Sequence, residues 1–328
     1  AHSNDPSIER RLKIGYVSPD FRSHPVAYFM APILENHDPA GFEVFCYAEV
    51  NKPDAVTERL RGLVQGWRDT CGLSDAQLAQ IIQEDEIDIL VDLAGHTGSN
   101  RLTVFASKPT PVQVSYLGYP NTTGLAAMDY RLTDEVADPP GSEAHYTEKL
   151  CYLPGSFSCY QPASDAPDVT PLPARARGFV TFASFSNLSK INDRVLDLWC
   201  RVLHANPSSR LFVYRHLLKG KTRERYYQAF EARGIGRDRV ALESEIPAEH
   251  QHLPSEKRHM GLFGQVDLIL DTFPWNNHTI SCETLWAGIP VVTLAGDRHA
   301  GRICASVLTA IGLPNLIAQT SDEYVKIA

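Results

Sequence analysis

Residues 267–293 constrain the fold of this chain more than any other stretch. An apolar run, Asp267-Leu-Ile-Leu-Asp271, ends in a carboxylate and leads into a polar turn that closes on His278. A helix is expected from near Ser281, and a β-branched strand begins after Gly288 and Pro290. Strand, turn, helix and strand make a βαβ unit, which belongs to a parallel sheet and sets its turn at the carboxyl end of a strand. Open α/β sheets bind ligands at that edge. The turn offers His278, Thr279 and Ser281 next to the first amides of a helix. Those amides lack intrahelical partners and the helix dipole favours an anion, so the place suits phosphate. Glu283, in the first helical turn, is placed to accept hydrogen bonds from a ribose diol. Together these groups read as a nucleotide-diphosphate pocket, although Thr, Ser and Glu opening a helix are equally ordinary capping residues.

With 328 residues and 43% hydrophobic content, the chain has enough apolar material for two cores and so for two domains. The net charge is −8 and no long basic run interrupts it, which argues against nucleic acid or an anionic membrane as partner. No apolar run approaches the roughly 18–20 residues that span a bilayer, and the polar N-terminus does not read as a signal peptide. Seven cysteines show no Cys-x-x-Cys spacing, and Cys46, Cys200, Cys282 and Cys304 lie in apolar surroundings. Reduced, mostly buried thiols in a cytoplasmic protein are expected.

The rest of the chain repeats the same alternation. Strands are expected at 12–17, 42–47, 87–93 and 112–117, with helices from about Val26, over 75–84 and near 100–107. A Pro- and Ala-rich stretch, 162–178, reads as a linker between lobes spanning 1–161 and 179–328. Beyond it come strands at 179–183, 210–214, 239–242 and 266–270, with helices at 193–204, 222–232 and near 256–264. The expected fold is α/β, two Rossmann-like lobes with a cleft between them.

Several loops carry candidate chemistry. Lys190, in Phe182-Ala-Ser-Phe-Ser-Asn-Leu-Ser-Lys190, follows the first strand of the second lobe and reads as a cation for a diphosphate leaving group, or as a solvated lysine. Asp20 and His24 occupy the equivalent loop of the first lobe, as proton-handling groups or as a helix cap and a structural histidine. His96, Thr97, Asn100 and Arg101 form a second polar loop, and the turn Pro120-Asn-Thr-Thr-Gly124, with Thr122, brings backbone near a ligand or is simply a turn. His250, His252 and His259 read as a surface loop rather than a metal site. There is no GxxxxGK[ST], no GxGxxG, no His-Glu-x-x-His, no GxSxG and no Asp-x-Asp clamp.

Four stretches carry a resemblance that runs across nearly the whole chain in order. They are Ile14-Gly-Tyr-Val-Ser-Pro-Asp-Phe21 with His24-Pro25, Leu117 through Gly124, Asn187-Leu-Ser-Lys190, and Asp271-Thr-Phe-Pro through His278-Thr279 to Thr293. In these the chain resembles the catalytic region of the O-linked N-acetylglucosamine transferases and their SPINDLY-type relatives. The resemblance implies a two-lobed GT-B fold and inverting, metal-independent transfer of a sugar from a nucleotide donor to Ser or Thr hydroxyls of proteins, without a cofactor. It places Lys190 at the leaving diphosphate, Asn187 near the phosphates, and His278 and Thr279 around them at the helix start. Glu283 would take the ribose, His259 would lie near the base, and Asp20 and His24 would sit beside the reacting centre. Ile280 departs from the usual Thr and Leu262 from an Arg, while Cys282-Glu283 stands nearer the SPINDLY branch, some of whose members resemble fucosyltransferases using GDP-fucose. The expected donor is UDP-N-acetylglucosamine, with GDP-fucose as the alternative; an epimerase or a non-catalytic binding module stands behind both. Family members carry upstream tetratricopeptide repeats and continue past Ala328, so a fragment or minimal catalytic core, truncated in its second lobe, is expected.

Overall fold

The computed structural model describes residues 2–7, 9–162, 166, 168–247 and 258–328. It divides into two compact units, 1–161 and 162–328. Among the described residues the first holds seven strands: β1 (Leu12–Ser18), β2 (Phe42–Ala48), β3 (Gly66–Asp69), β4 (Ile89–Asp92), β5 (Val112–Ser115), β6 (Tyr130–Thr133) and β7 (Lys149–Tyr152). Every pairing is parallel and the order is β3-β2-β1-β4-β5-β6-β7. The winding therefore reverses between β1 and β4, and their carboxyl ends open a crevice there. Helices cover the sheet, so Val17, Phe45, Tyr47 and Leu90 are buried with Leu78, Ile82 and Phe105. The helix Asp75–Glu84 shows why such elements form where they do. Ser74 and Gln77 make a reciprocal cap, and Leu78 and Ile82 face inward four residues apart.

Among the described residues the second unit has six parallel strands: β8 (Thr181–Ser184), β9 (Arg210–Tyr214), β10 (Val240–Glu243), β11 (Leu268–Leu270), β12 (Val291–Leu294) and β13 (Ile317–Ala318). Their order is β10-β9-β8-β11-β12-β13, with the reversal between β8 and β11. Alternate strand residues feed opposite faces, as the pleat requires. Phe182, Leu211, Val213, Leu270 and Val292 join Trp199, Phe230 and Tyr324 in one core layer. Ala183, Phe212, Ile269 and Val291 join Phe185, Met260 and Leu308 in the other.

The structure departs from the sequence expectations at particular places. Within the stretch expected to be a linker, Pro173–Arg177 is a helix with proline at its start, a position that needs no N–H. Asp267 ties it to the sheet by accepting from the Ala174 amide at 2.8 Å and the Thr181 amide at 2.8 Å. The helix expected near 256–264 is a 3-10 turn over Arg258–Gln265, where Gly261 and Gly264 disfavour an α-helix. His250 and His252 lie outside the described residues. No helix among the described residues is long and apolar enough to cross a membrane. Cys46, Cys200, Cys282 and Cys304 are buried free thiols, whereas Cys71, Cys151 and Cys159 are exposed.

Candidate functional site

The carboxyl ends of β8 and β11 flank the reversal of the second unit, and Asp271 follows β11 directly. Asp271 is 1% exposed and organises the turn behind it. Its Oδ1 accepts from the Thr272 amide (2.8 Å), the Asn277 amide (2.9 Å) and Asn277 Nδ2 (2.9 Å), and its Oδ2 accepts from Thr293 Oγ1 (2.7 Å). Burial nonetheless pushes its carboxyl up to about 6, because these donors and the nearby Lys190 offset the desolvation only in part. Asn277 Nδ2 also donates to Ser186 Oγ at 2.7 Å, which stitches the turn to the loop after β8.

Lys190 closes that loop in a short 3-10 turn, Leu188–Lys190. Its Nζ donates to Asn276 O at 2.7 Å and stands 5.1 Å from the centre of the Trp275 ring. Burial pulls its ammonium down to about 8, with Asp271 opposing and Arg215 adding to the shift. Asn187 precedes Lys190, exposed, its carbonyl accepting the Lys190 amide at 2.9 Å.

The helix expected from Ser281 starts two residues earlier and runs Thr279–Trp286, entered through His278. No side chain caps it. The first intrahelical bond at this end is Cys282 N to His278 O, so the preceding amides have no backbone partner within the helix. Thr279 is half-buried at this opening, whereas the Ser281 hydroxyl turns back to Asn277 O at 3.2 Å. Burial holds the His278 imidazole down at about 3, with His299 and Lys190 reinforcing the shift, so the ring is neutral.

Glu283 and His259 are brought together, which the sequence did not foreshadow. Glu283 is 3% exposed and its Oε2 meets His259 Nε2 at 2.7 Å. His259 in turn packs against Phe185 (6.1 Å between ring centres) and Phe263 (5.6 Å). One Glu283 oxygen is therefore committed inside an aromatic wall, and only Oε1 remains for a ribose. The sequence reading also passed over Arg215, the first residue after β9. Its position directly beyond a strand end, at the same sheet edge as Lys190, was the available signal.

In the first unit, the loop after β1 brings Asp20 and His24 together. Asp20 Oδ2 lies 3.5 Å from His24 Nδ1, and Asp20 Oδ1 accepts from Arg22 Nη2 at 3.4 Å. His24 also caps the helix Pro25–Glu35, its Nδ1 accepting from the Val26 amide at 3.3 Å. That bond needs the Nδ1 lone pair, so the neutral ring carries its proton on Nε2. Burial lowers the His24 imidazole, Asp20 opposes that shift, and Arg22 adds to it. Loops after β1, β2 and β4 enclose a cavity of about 430 Å³ whose lining includes Asp20, Arg22, Glu49 and Lys52.

The other polar loops of this unit are largely self-satisfied. Arg101 is bound to Glu49 (2.7 Å) and Asp75 (2.7 Å), and His96 Nε2 pairs with Thr123 O at 2.8 Å. Thr122 donates to Glu148 Oε2 at 2.6 Å and accepts from the Gly124 amide at 3.0 Å. Its hydroxyl holds together the turn that the sequence sets near a ligand. A Cβ at Gly118 would meet Leu93 O at 1.8 Å, so the turn approaches the loop after β4 this closely only with glycine there. Among the described residues no group of three or more His, Cys, Asp or Glu side chains is placed to hold a metal ion.

Comparison with known proteins places this arrangement. The chain matches glycosyl transferase family 41 over residues 1–163 and 170–328. It is 43% identical over 330 residues to a Solanum lycopersicum protein named probable UDP-N-acetylglucosamine–peptide N-acetylglucosaminyltransferase SPINDLY, covering 99% of this chain and 35% of that one. A protein of the same name but designated SEC, from Arabidopsis thaliana, is 34% identical over 328 residues, covering 96% and 32%. Among solved structures, a mutant O-GlcNAc transferase from Thermobaculum terrenum superposes with a TM-score of 0.92 at 42% identity, over 100% of this chain and 61% of that one. The chain thus spans about a third of the length of the curated relatives it matches. With two parallel α/β sheets of the GT-B kind and a match in both units, it belongs to glycosyl transferase family 41.

Proposed function

We propose that this chain is the catalytic region of a protein O-glycosyltransferase. It moves N-acetylglucosamine from UDP-N-acetylglucosamine to Ser or Thr hydroxyls of proteins, with inversion, without a metal or other cofactor, in the cytoplasm. The observation that carries this reading is Lys190 held at Asn276 O beside an uncapped helix start. Such a pairing of ammonium and free amides suits a diphosphate whose charge grows as it leaves. The names of the relatives support the donor and the acceptor class.

In the reaction the acceptor oxygen bonds to the anomeric carbon while the bond from that carbon to the diphosphate breaks. The bonding pair passes to the diphosphate, where Lys190 and the amides near Thr279 receive the charge. The hydroxyl proton passes to the Asp20–His24 pair. His278 contributes a neutral ring at the helix start, Glu283 and His259 shape the nucleoside end, and Asn187 lies near the phosphates. GDP-fucose is the second donor reading, resting on Cys282-Glu283, which stands nearer the SPINDLY branch.

The test supplies labelled UDP-N-acetylglucosamine and GDP-fucose with a Ser/Thr peptide library, with and without EDTA. Label in peptide, of inverted configuration and insensitive to EDTA, is expected from the first donor. Label from GDP-fucose alone would change the donor and keep the mechanism. Epimerised nucleotide sugar, or no conversion of either donor, would overturn the reading.

A further inference from the structure

We propose that Arg215 is a second cation for the donor's diphosphate, acting beside Lys190; the inference rests on the donor-site reading above. Arg215 stands at the carboxyl end of β9, the strand that pairs with β8 in register Ser184 to Val213. Its backbone is fixed to the neighbouring strand, the amide donating to Glu243 O at 3.0 Å. Its side chain has no such anchor. Nε is buried with no hydrogen-bond partner, and the guanidinium joins no ion pair among the described residues.

Other arginines of this unit show what a structural role looks like here. Arg239 donates to Ser209 O, Leu203 O and Asn206 O, and Arg233 grips Asp193 and Asp197. The carboxylate whose charge Arg215 feels is Glu283, yet it is hydrogen-bonded to His259. A guanidinium does not shed its proton to escape burial, so in this half-buried side chain an Nε buried without a partner is a standing cost to the fold. Arg215 and Lys190 also repel each other, each within electrostatic reach of the other. A diphosphate relieves both problems at once. Its oxygens match the planar fork of a guanidinium, which an ammonium cannot reproduce.

The experiment measures UDP and uridine binding to the chain, with GDP and guanosine in parallel, for wild type, Arg215→Met and Arg215→Lys. The ratio of diphosphate to nucleoside affinity isolates the phosphates. We expect Arg215→Met to lower that ratio tenfold or more, and Arg215→Lys to restore only part of it. Thermal unfolding without ligand gives a second readout. The Met variant should melt at or above the wild-type temperature, because it removes a half-buried guanidinium whose Nε is buried without a partner. An unchanged ratio in both variants overturns the proposal while leaving the donor site intact. A lower melting temperature with equal loss of diphosphate and nucleoside assigns Arg215 to structure and also overturns it. If wild type binds neither UDP nor GDP, the donor-site reading itself fails and this inference falls with it.

Discussion

At Lys190 two effects oppose one another: burial lowers the ammonium to about 8, while Asp271 nearby favours the charged form. The lysine is therefore charged at neutral pH and loses its proton as pH rises through about 8 in the empty site. If it stabilises the leaving diphosphate, kcat/KM, which reports the free enzyme, should fall above that pH. Lys190→Arg should remove this limb, since a guanidinium stays charged. His278, already neutral down to about 3, should add no limb near neutrality. Lys190→Ala should lower turnover by about 10²–10³-fold, the usual loss for one preorganised group acting on developing charge, and change donor affinity far less. A turnover within twofold of wild type would remove Lys190 from the mechanism. Stability carries the opposite sign. The folded-state value lies below the ordinary 10.5, so the protonated lysine opposes folding fully below about 8. That penalty fades between about 8 and 10.5, and a Lys190→Met chain should show a smaller gain in stability over this window.

One scale up, the turn from Asp271 to His278 depends on one carboxylate with four donors. Asp271→Asn puts an amide N–H₂ against some of those donors and should cost about 2–4 kcal/mol in chemical denaturation. Because the same turn presents Asn276 O to Lys190, turnover should fall as well. An Asn variant with wild-type stability would mean that the turn is held by backbone alone. This element was the most legible part of the sequence. Its strand, its polar turn and its β-branched return all follow from periodicity and from Gly288 and Pro290, with the helix start shifted by two residues. Elements with mixed composition were not legible. The strands β3, β6 and β7 carry charged residues among four positions each, Gly66-Trp-Arg-Asp69 being typical, so no apolar run announces them. The side-chain pairings were hidden for another reason. Glu283 with His259 and Thr122 with Glu148 join residues over 20 apart, and nothing local to either partner encodes the meeting.

At the scale of the whole chain, the groups assigned to the donor, Thr122 apart, lie in 162–328: Lys190, Asn187, Arg215, His259, His278, Thr279 and Glu283. That unit has its own six-stranded sheet and a core layer on each face of it, one built around Trp199 and Tyr324, the other around Phe185 and Met260. A unit of this size can bury enough surface to fold alone. Its C-terminal helix Ser321–Ile327 is part of that core, with Tyr324 fully buried and its hydroxyl donating to Asp271 O at 3.0 Å. Expressed by itself, residues 162–328 should therefore unfold cooperatively and bind UDP within roughly tenfold of the intact chain, a difference of about 1.4 kcal/mol. It should transfer no sugar, because Asp20 and His24 belong to the other unit. Calorimetry on the isolated unit checks the first expectation and a labelled-donor assay the second. A folded 162–328 that fails to bind while the intact chain binds would move part of the nucleotide site into residues 1–161. Transfer by the isolated unit would instead show that the hydroxyl proton needs neither Asp20 nor His24.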